Sequence, residues 1–227
     1  WSSDVCSSDL TKPFSVDDLA RNYGMPRASF LHHAFDPEVH RPVTLAPDEL
    51  DTYGCDVTFV GSPTPKKERE LAHLIRERPH LRYRIWGGNR WTLPDAADVV
   101  VGGQLGGVEC ARAVAGAKVS LALLYEGDRS APRGDEITAR TFEIPAAGGF
   151  MLHERTEAAL SLFEEDQECA FFSSPDELVA QVDRYLATPD ERRRVACNGR
   201  NRVTRSGHSV DRRAEAVLKE YRRIAAG

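Results

Sequence analysis

Short apolar runs alternate with amphipathic stretches along most of the chain after residue 55. The runs are continuously apolar instead of alternating with polar residues, which is typical of strands covered on both faces in a parallel sheet. The pattern predicts strands over residues 56–60, 81–86, 98–101, 118–124, 150–152 and 170–172.

Helical periodicity fills the intervals between these runs. It predicts helices over residues 66–78, 108–115, 154–163, 176–187, 190–203 and 210–224. The clearest start lies at Ser174, a favoured N-cap residue, which is followed by Pro175 at the first helical position. The repeated alternation of strand and helix predicts an α/β fold with a doubly wound, mostly parallel sheet of the Rossmann-like type.

The chain before residue 55 lacks this alternation. Apart from one short helix predicted near residues 16–22 it is rich in turn residues, and we interpret 11–54 as a linker with a remnant of an N-terminal domain. Residues 2–10 repeat Ser-Ser-Asp and have neither region of a signal peptide. They match a translated sequencing adapter, so residues 1–10 are predicted to be a cloning or assembly scar, and the natural protein is expected to extend further upstream. The alternative is a disordered natural N-terminus.

Composition narrows the range of partners. The 30 Lys and Arg against 35 Asp and Glu give a net charge of −5, so no basic field extends over the sequence to bind nucleic acid or an anionic membrane. Uncharged stretches such as 99–108 are about ten residues long, whereas a membrane-spanning helix needs roughly 20. The cysteines form no CxxC motif, which is typical of a reducing cytosol, and we expect a cytoplasmic protein.

The first candidate site lies where the strand over 56–60 gives way to a helix. Thr64 is a favoured N-cap and Pro65 a favoured first helical residue. A helix N-terminus presents unpaired N–H groups and a partial positive charge, which suit a diphosphate when a Lys lies in the first turn. The alternative is an ordinary solvated loop with two exposed lysines. The candidate ligands are Gly61, Ser62, Lys66 and Lys67.

The second candidate site is the segment 134–149, which contains Asp135, Arg140 and Glu143. If this segment lies at the carboxyl edge of the sheet, a carboxylate there binds a ribose diol through two hydrogen bonds and Arg140 faces phosphates. The alternative is an Arg140–Glu143 pair on a helix surface, which stabilises a helix by only about 0.2–0.5 kcal/mol.

Several segments together resemble one family. The run 140–152, with the sequence RTFEIPAAGGFML, is followed by Phe163-Glu164-Glu165, by FFSSPDEL at 171–178 and by Tyr185-Leu186. They resemble the glycosyltransferase-like proteins related to the spore-maturation protein CgeB, over roughly residues 30–221. The resemblance implies a GT-B fold and the transfer of a sugar from a nucleotide diphosphate sugar to an unknown acceptor.

The resemblance extends to retaining GT-B enzymes and implies roles for the candidate residues. Lys67 corresponds to their phosphate-binding lysine, and Asp135 and Glu143 to their paired acids, of which the second binds the donor ribose. Arg140 and the Gly148-Gly149 turn are expected to complete the phosphate and sugar contacts. No catalytic base is assigned.

Two positions depart from the pattern of that family. Ser62 stands where a phosphate-binding Arg is expected, and Asp135 replaces a Glu. The resemblance implies that residues 55–227 are the nucleotide-sugar-binding half and that the N-terminal acceptor domain is missing, so this segment alone is expected to be inactive. No Asp-x-Asp motif is present, and we expect a site that uses neither metal nor cofactor. The alternative is a non-catalytic carbohydrate-binding or assembly module, which Ser62 permits.

Three weaker features have competing interpretations. Trp86 either stacks on a base or sugar or belongs to the core, and the core is favoured. His153 lies at a predicted strand end, where it contacts a ligand or caps the next helix. The linker histidines lack a framework that would pre-organise metal ligands, so solvated or interface positions are favoured for His32, His33 and His40.

Overall fold

The computed structural model describes residues 9–10, 13–25, 28–88, 90–93, 96–127 and 134–225. Its strands are β1 (Asp9–Leu10), β2 (Ser29–Phe30), β3 (Cys55–Val60), β4 (Tyr83–Trp86), β5 (Val100–Gly102), β6 (Ala117–Ala122), β7 (Met151–Glu154) and β8 (Ala170–Phe172). Its helices are α1 (Pro13–Asn22), α2 (Glu49–Tyr53), α3 (Pro65–Glu77), α4 (Ala96–Val99), α5 (Val108–Gly116), α6 (Arg140–Ala146), α7 (Glu157–Leu162), α8 (Pro175–Ala187), α9 (Pro189–Arg205) and α10 (Val210–Ala225).

Strands β3 to β8 form one parallel sheet in the spatial order β5-β4-β3-β6-β7-β8. In the middle of the sheet, Val57 on β3 pairs with Tyr83 on β4 and with Val119 on β6. The chain winds outward from β3 to β5 and then returns to the other side of β3 at β6. The direction of winding therefore reverses between β3 and β6, and α/β sheets bind ligands at the carboxyl edge beside such a switch point.

Helices cover both faces of the sheet, as the continuously apolar strands require. On one face, α3 and α8 pack against the strands through buried side chains such as Leu71 and Tyr185. On the other face, α5 and α6 contribute Val114 and Phe142. The predicted doubly wound α/β fold with a parallel sheet is thus confirmed.

Local signals in the sequence set several helix ends. Thr64 and Ser174 cap α3 and α8 as predicted, and each accepts a hydrogen bond from the backbone N–H three residues further on. Helix α7 begins at Glu157 instead of residue 154, because β7 continues through Glu154 and Thr156 caps the helix. The short helices α2 and α4 are not predicted by the pattern.

The segment that precedes β3 packs against the end of the chain. Phe35 is buried; its N–H donates to the His208 carbonyl at 3.1 Å and its carbonyl accepts from the Val210 N–H at 2.9 Å. Within the predicted scar, residues 1–8 lie outside the described residues, and Asp9–Leu10 pair in parallel with Ser29–Phe30. Of the helices that the structure describes, none combines the length and the hydrophobicity that a bilayer crossing needs.

Candidate functional site

The two candidate segments meet at the carboxyl edge of the sheet, beside the switch point. The loop after β3 leads into α3, and the segment after β6 leads into α6. Because the strands are parallel, both connections leave the sheet at the same edge. Arg140, the first residue of α6, donates from Nε to the carbonyl of Val60, the last residue of β3, at 3.1 Å. This hydrogen bond ties the two segments together.

The N-terminus of α3 holds a carboxylate from the protein itself. The Lys66 N–H donates to Glu126 Oε1 at 3.2 Å, and Arg69 Nη2 donates to Glu126 Oε2 at 2.9 Å. A helix N-terminus stabilises an anion through its unpaired N–H groups and its dipole. Glu126, which no motif in the sequence indicates, therefore occupies the Lys66 N–H, one of the donors predicted to bind a phosphate.

The side chain of Lys66 is engaged by two acids. Its Nζ contacts Glu154 Oε1 at the end of β7 and lies 3.8 Å from Glu70 Oε1 on its own helix. Glu154 Oε2 also accepts a hydrogen bond from the Leu124 N–H at 3.1 Å. Glu70 is buried and its Oε2 has no hydrogen-bond partner. Burial, opposed by the charge of Lys66, raises the pKa of Glu70 to about 7.

Lys67 lies in the same first turn of α3. Its Nζ is 3.5 Å from the Ser62 carbonyl and 5.8 Å from the centroid of the Phe59 ring. Burial lowers the pKa of Lys67, and the nearby negative charge of Asp135 opposes that shift. Both lysines are partly buried and not fully exposed, while Ser62 in the same loop is exposed, so the alternative of an ordinary loop stays open.

Arg140 and Glu143 form the i,i+3 contact that the second alternative predicted, although not on an exposed surface. Arg140 Nη1 contacts Glu143 Oε2, and the side chains are only 26% and 14% exposed. His40 Nε2 lies 3.5 Å from Glu143 Oε1. The three side chains line a narrow crevice between β3, β6, α5 and α6 with a cavity volume of about 10 Å³, enough for about one water molecule. A solvated position for His40 is thereby excluded.

Gly148 and Gly149 are not brought to this edge. They follow α6 and precede β7, so they lie at the amino end of that strand. Gly148 has φ +84°, which explains the glycine, and a Cβ on Gly149 would lie 2.2 Å from Val114 Cγ1. Both glycines therefore have a structural explanation, a left-handed turn and a close helix contact.

Two other predicted features belong to the interior. Trp86 is 5% exposed and stacks on Tyr53 with ring centroids 5.5 Å apart, in accordance with the core interpretation. His153 is fully buried and its Nε2 is hydrogen-bonded to Thr141 Oγ1 at 2.8 Å, so it neither caps α7 nor faces a ligand. Within the described ranges, no cluster of three His, Cys, Asp or Glu is placed to hold a metal ion.

A protein-family model described as glycosyl transferase-like matches residues 66–219. No curated protein matches the chain. Among solved structures, the chain is similar to sucrose-phosphate synthase from Thermosynechococcus elongatus, with a TM-score of 0.73 and 17% identity over 96% of this chain and 58% of that one. It is also similar to HepE from Anabaena in complex with UDP and glucose, with a TM-score of 0.70 and 12% identity over 94% of this chain and 62% of that one.

A third similarity concerns a single domain. The C-terminal domain of a glycosyl transferase group 1 family protein from Francisella tularensis has a TM-score of 0.55 and 13% identity, over 78% of this chain and 99% of that one. The chain thus spans about six-tenths of the length of the two larger structures, at 58% and 62%, and all of the single domain but 1%. These similarities confirm the predicted fold, that of GT-B glycosyltransferases.

Proposed function

Since the chain belongs to the glycosyl transferase-like family, we propose that it is the donor-binding half of a glycosyltransferase that transfers a sugar from a nucleotide diphosphate sugar to an acceptor. The observation that carries the proposal is the meeting of two groups at the β3/β6 switch point: the N-terminus of α3 with Lys67, and the Arg140–Glu143 pair of α6. The first suits a diphosphate and the second suits a ribose.

In this arrangement each group has one task. Lys67, together with the Lys66 N–H once the Glu126 carboxylate is displaced from it, stabilises the negative charge of the diphosphate, including the charge that develops as it leaves. Glu143 accepts hydrogen bonds from the two ribose hydroxyls, which requires the crevice around it, with a volume of about 10 Å³, to widen when the donor binds. The proposal includes no metal and no cofactor, because the fixed charge of the lysine and the helix dipole do this work.

The proposal also concerns the subfamily of the chain, its location in the cell and a preceding domain. The RTFEIPA sequence of α6 supports placement with the proteins related to CgeB. We propose a cytoplasmic enzyme in which a preceding acceptor domain completes the active site, and without which this chain binds donor but does not turn it over. HepE is seen in complex with UDP and glucose, which makes UDP the first probe.

A second candidate function is a non-catalytic carbohydrate-binding or assembly module. It is favoured by the exposed Ser62 in the place of a phosphate-binding Arg and by the engagement of Lys66 with Glu154 and Glu70. On this interpretation the fold is kept and the capacity to stabilise a leaving diphosphate is reduced.

Calorimetric titration with UDP, GDP and dTDP sugars tests the proposal. Lys67→Ala is expected to weaken binding by about 10-fold or more, as expected for the loss of a charged contact, and so is Glu143→Ala. Lys118→Ala is the matched control, because Lys118 is paired with Asp56 at the amino edge of the sheet. Absence of heat with every donor, or equal affinity in all variants, refutes the donor site. Donor hydrolysis by a longer form with its preceding domain, lost in Glu143→Ala, rejects the non-catalytic module.

A further inference from the structure

A tight turn over residues 36–40 fixes the side chain of His40. Asp36 Oδ1 accepts a hydrogen bond from the Glu38 N–H at 2.9 Å, and the His40 N–H donates to the Asp36 carbonyl at 2.7 Å. In return, the Asp36 N–H donates to His40 Nδ1 at 3.0 Å. The imidazole is therefore positioned by the backbone of its own turn.

This contact also sets the tautomer of the ring. Because Nδ1 accepts a hydrogen bond, the proton of the neutral imidazole lies on Nε2. Burial, assisted by the positive charge of Arg140, lowers the pKa of His40 below 6.5, and Asp36 acts in the opposite direction. These effects favour the neutral form of the ring, which carries its proton on Nε2.

The Nε2 atom lies within contact range of Glu143, at a distance longer than a normal hydrogen bond. His40 Nε2 lies 3.5 Å from Glu143 Oε1, and the two side chains are only 12% and 14% exposed. The other oxygen of the carboxylate contacts Arg140, which is itself held by the Val60 carbonyl. Glu143 is thus hydrogen-bonded by Arg140 on one side and contacted by His40 on the other, and these two neighbours restrict the orientation of its carboxylate.

We propose that His40 is a positioning residue for Glu143, whose Nε2–H orients the carboxylate so that its remaining lone pairs accept hydrogen bonds from the two hydroxyls of a ribose. The inference rests on the proposed function, in which Glu143 binds the donor ribose. Preference for ribonucleotides then depends on a residue that does not contact the ligand, and supporting contacts of this kind decide how well a binding group is oriented.

Two substitutions separate this role from a structural one. In His40→Asn, the side-chain oxygen takes the place of Nδ1 and continues to accept from the Asp36 N–H, while the donor to Glu143 is lost. In His40→Gln, the side-chain amide takes the place of Nε2–H and continues to donate to Glu143, while the acceptor for the turn is lost. If His40 has only a structural role, the two variants differ in stability and not in ribose preference. If His40 positions Glu143, His40→Asn loses ribose preference and His40→Gln keeps it.

The measurement compares the affinities for UDP and for 2′,3′-dideoxyuridine diphosphate in the full chain at pH 7.5. The wild type is expected to bind UDP about 10-fold more tightly, since hydrogen bonds to a charged group are lost with the dideoxy analogue. His40→Asn is expected to reduce this preference by about 5-fold with little change in thermal stability. His40→Gln is expected to retain the preference and to melt at a lower temperature.

Each outcome has a defined meaning. An unchanged preference in His40→Asn, or an equal loss in both variants, overturns the inference and leaves the proposed function intact. Absence of UDP binding by the wild type refutes the proposed function and the inference with it. Binding of UDP without preference for the diol refutes the ribose role of Glu143 and therefore the positioning role of His40.

Discussion

Removal of the Glu126 carboxylate is expected to tighten donor binding. In the structure this carboxylate accepts hydrogen bonds from the Lys66 N–H at 3.2 Å and from Arg69 Nη2 at 2.9 Å, at the N-terminus of α3. A phosphate bound there must displace it, because both anions use the same donors. Glu126→Ala frees those donors before the ligand arrives.

The size of the effect follows from the exposure of the contact. The side chains of Arg69 and Glu126 are 66% and 30% exposed, and solvent-exposed ion pairs contribute up to about 1 kcal/mol. Removing the competing carboxylate therefore tightens UDP binding by up to about 5-fold. Folding stability falls by no more than about 1 kcal/mol, since the same contact is lost from the folded state.

Isothermal titration of UDP into the wild type and the variant measures this change, and chemical denaturation measures the stability. The matched control is Glu136→Ala, which removes an exposed carboxylate from the same connection between β6 and α6. Equal tightening in the control variant shows that net charge and not displacement is responsible. Unchanged or weaker binding in Glu126→Ala refutes the reasoning, because the carboxylate then does not compete with the ligand.

Three further predictions concern stability. Glu70 has a pKa of about 7 in the folded state, against an unfolded value near 4.5, so the free energy of unfolding falls as pH rises between these values. Glu70→Gln is expected to remove that slope in denaturation measured from about pH 4.5 to 8. Burial lowers the pKa of His153 to about 4, so its contribution is present above pH 6.5 and is lost as pH falls towards 4; His153→Gln flattens that slope. Gly149→Ala, whose Cβ would lie 2.2 Å from Val114 Cγ1, lowers the unfolding free energy by about 1–3 kcal/mol; adding Val114→Ala restores much of it, and an unchanged melting temperature in the single variant contradicts the packing argument.

The parts of the fold that the sequence predicted are those that local chemistry determines. Continuously apolar runs indicate buried parallel strands, and Thr64 and Ser174 mark helix starts because an N-cap acts within three residues. Helix α6 was predicted only as an alternative, since Pro145 lies inside it and its stability comes from burying Phe142 and Ile144 against the sheet. That contribution is tertiary and has no signature in the segment itself.

The candidate site likewise contains residues that the sequence predicted and residues that it did not. The turn with Lys67 was predicted because a strand end, an N-cap and a lysine lie within a few residues. Glu126 and Glu154 were missed because they are 60 and 88 residues from Lys66 in the sequence, and no spacing rule connects them. The role of His40 was missed for a related reason. The turn over residues 36–40 sets the tautomer and orientation of its ring, and these affect the site only because the fold brings Glu143 close to that ring.

The ion pairs around the site determine how much the presence of Ser62 affects diphosphate binding. Where the family pattern places a phosphate-binding Arg, a neighbouring cation is needed to replace the missing charge. Lys66 contacts Glu154, and Arg140 contacts Glu143 and the Val60 carbonyl, so each is already engaged by the protein. Neither supplies the missing charge in this arrangement. In the proposed function the attraction for a diphosphate therefore rests on Lys67, and on the N-terminus of α3 once Glu126 is displaced from it. Donor affinity is consequently expected to depend more on Lys67 than it would in a site that retains the Arg.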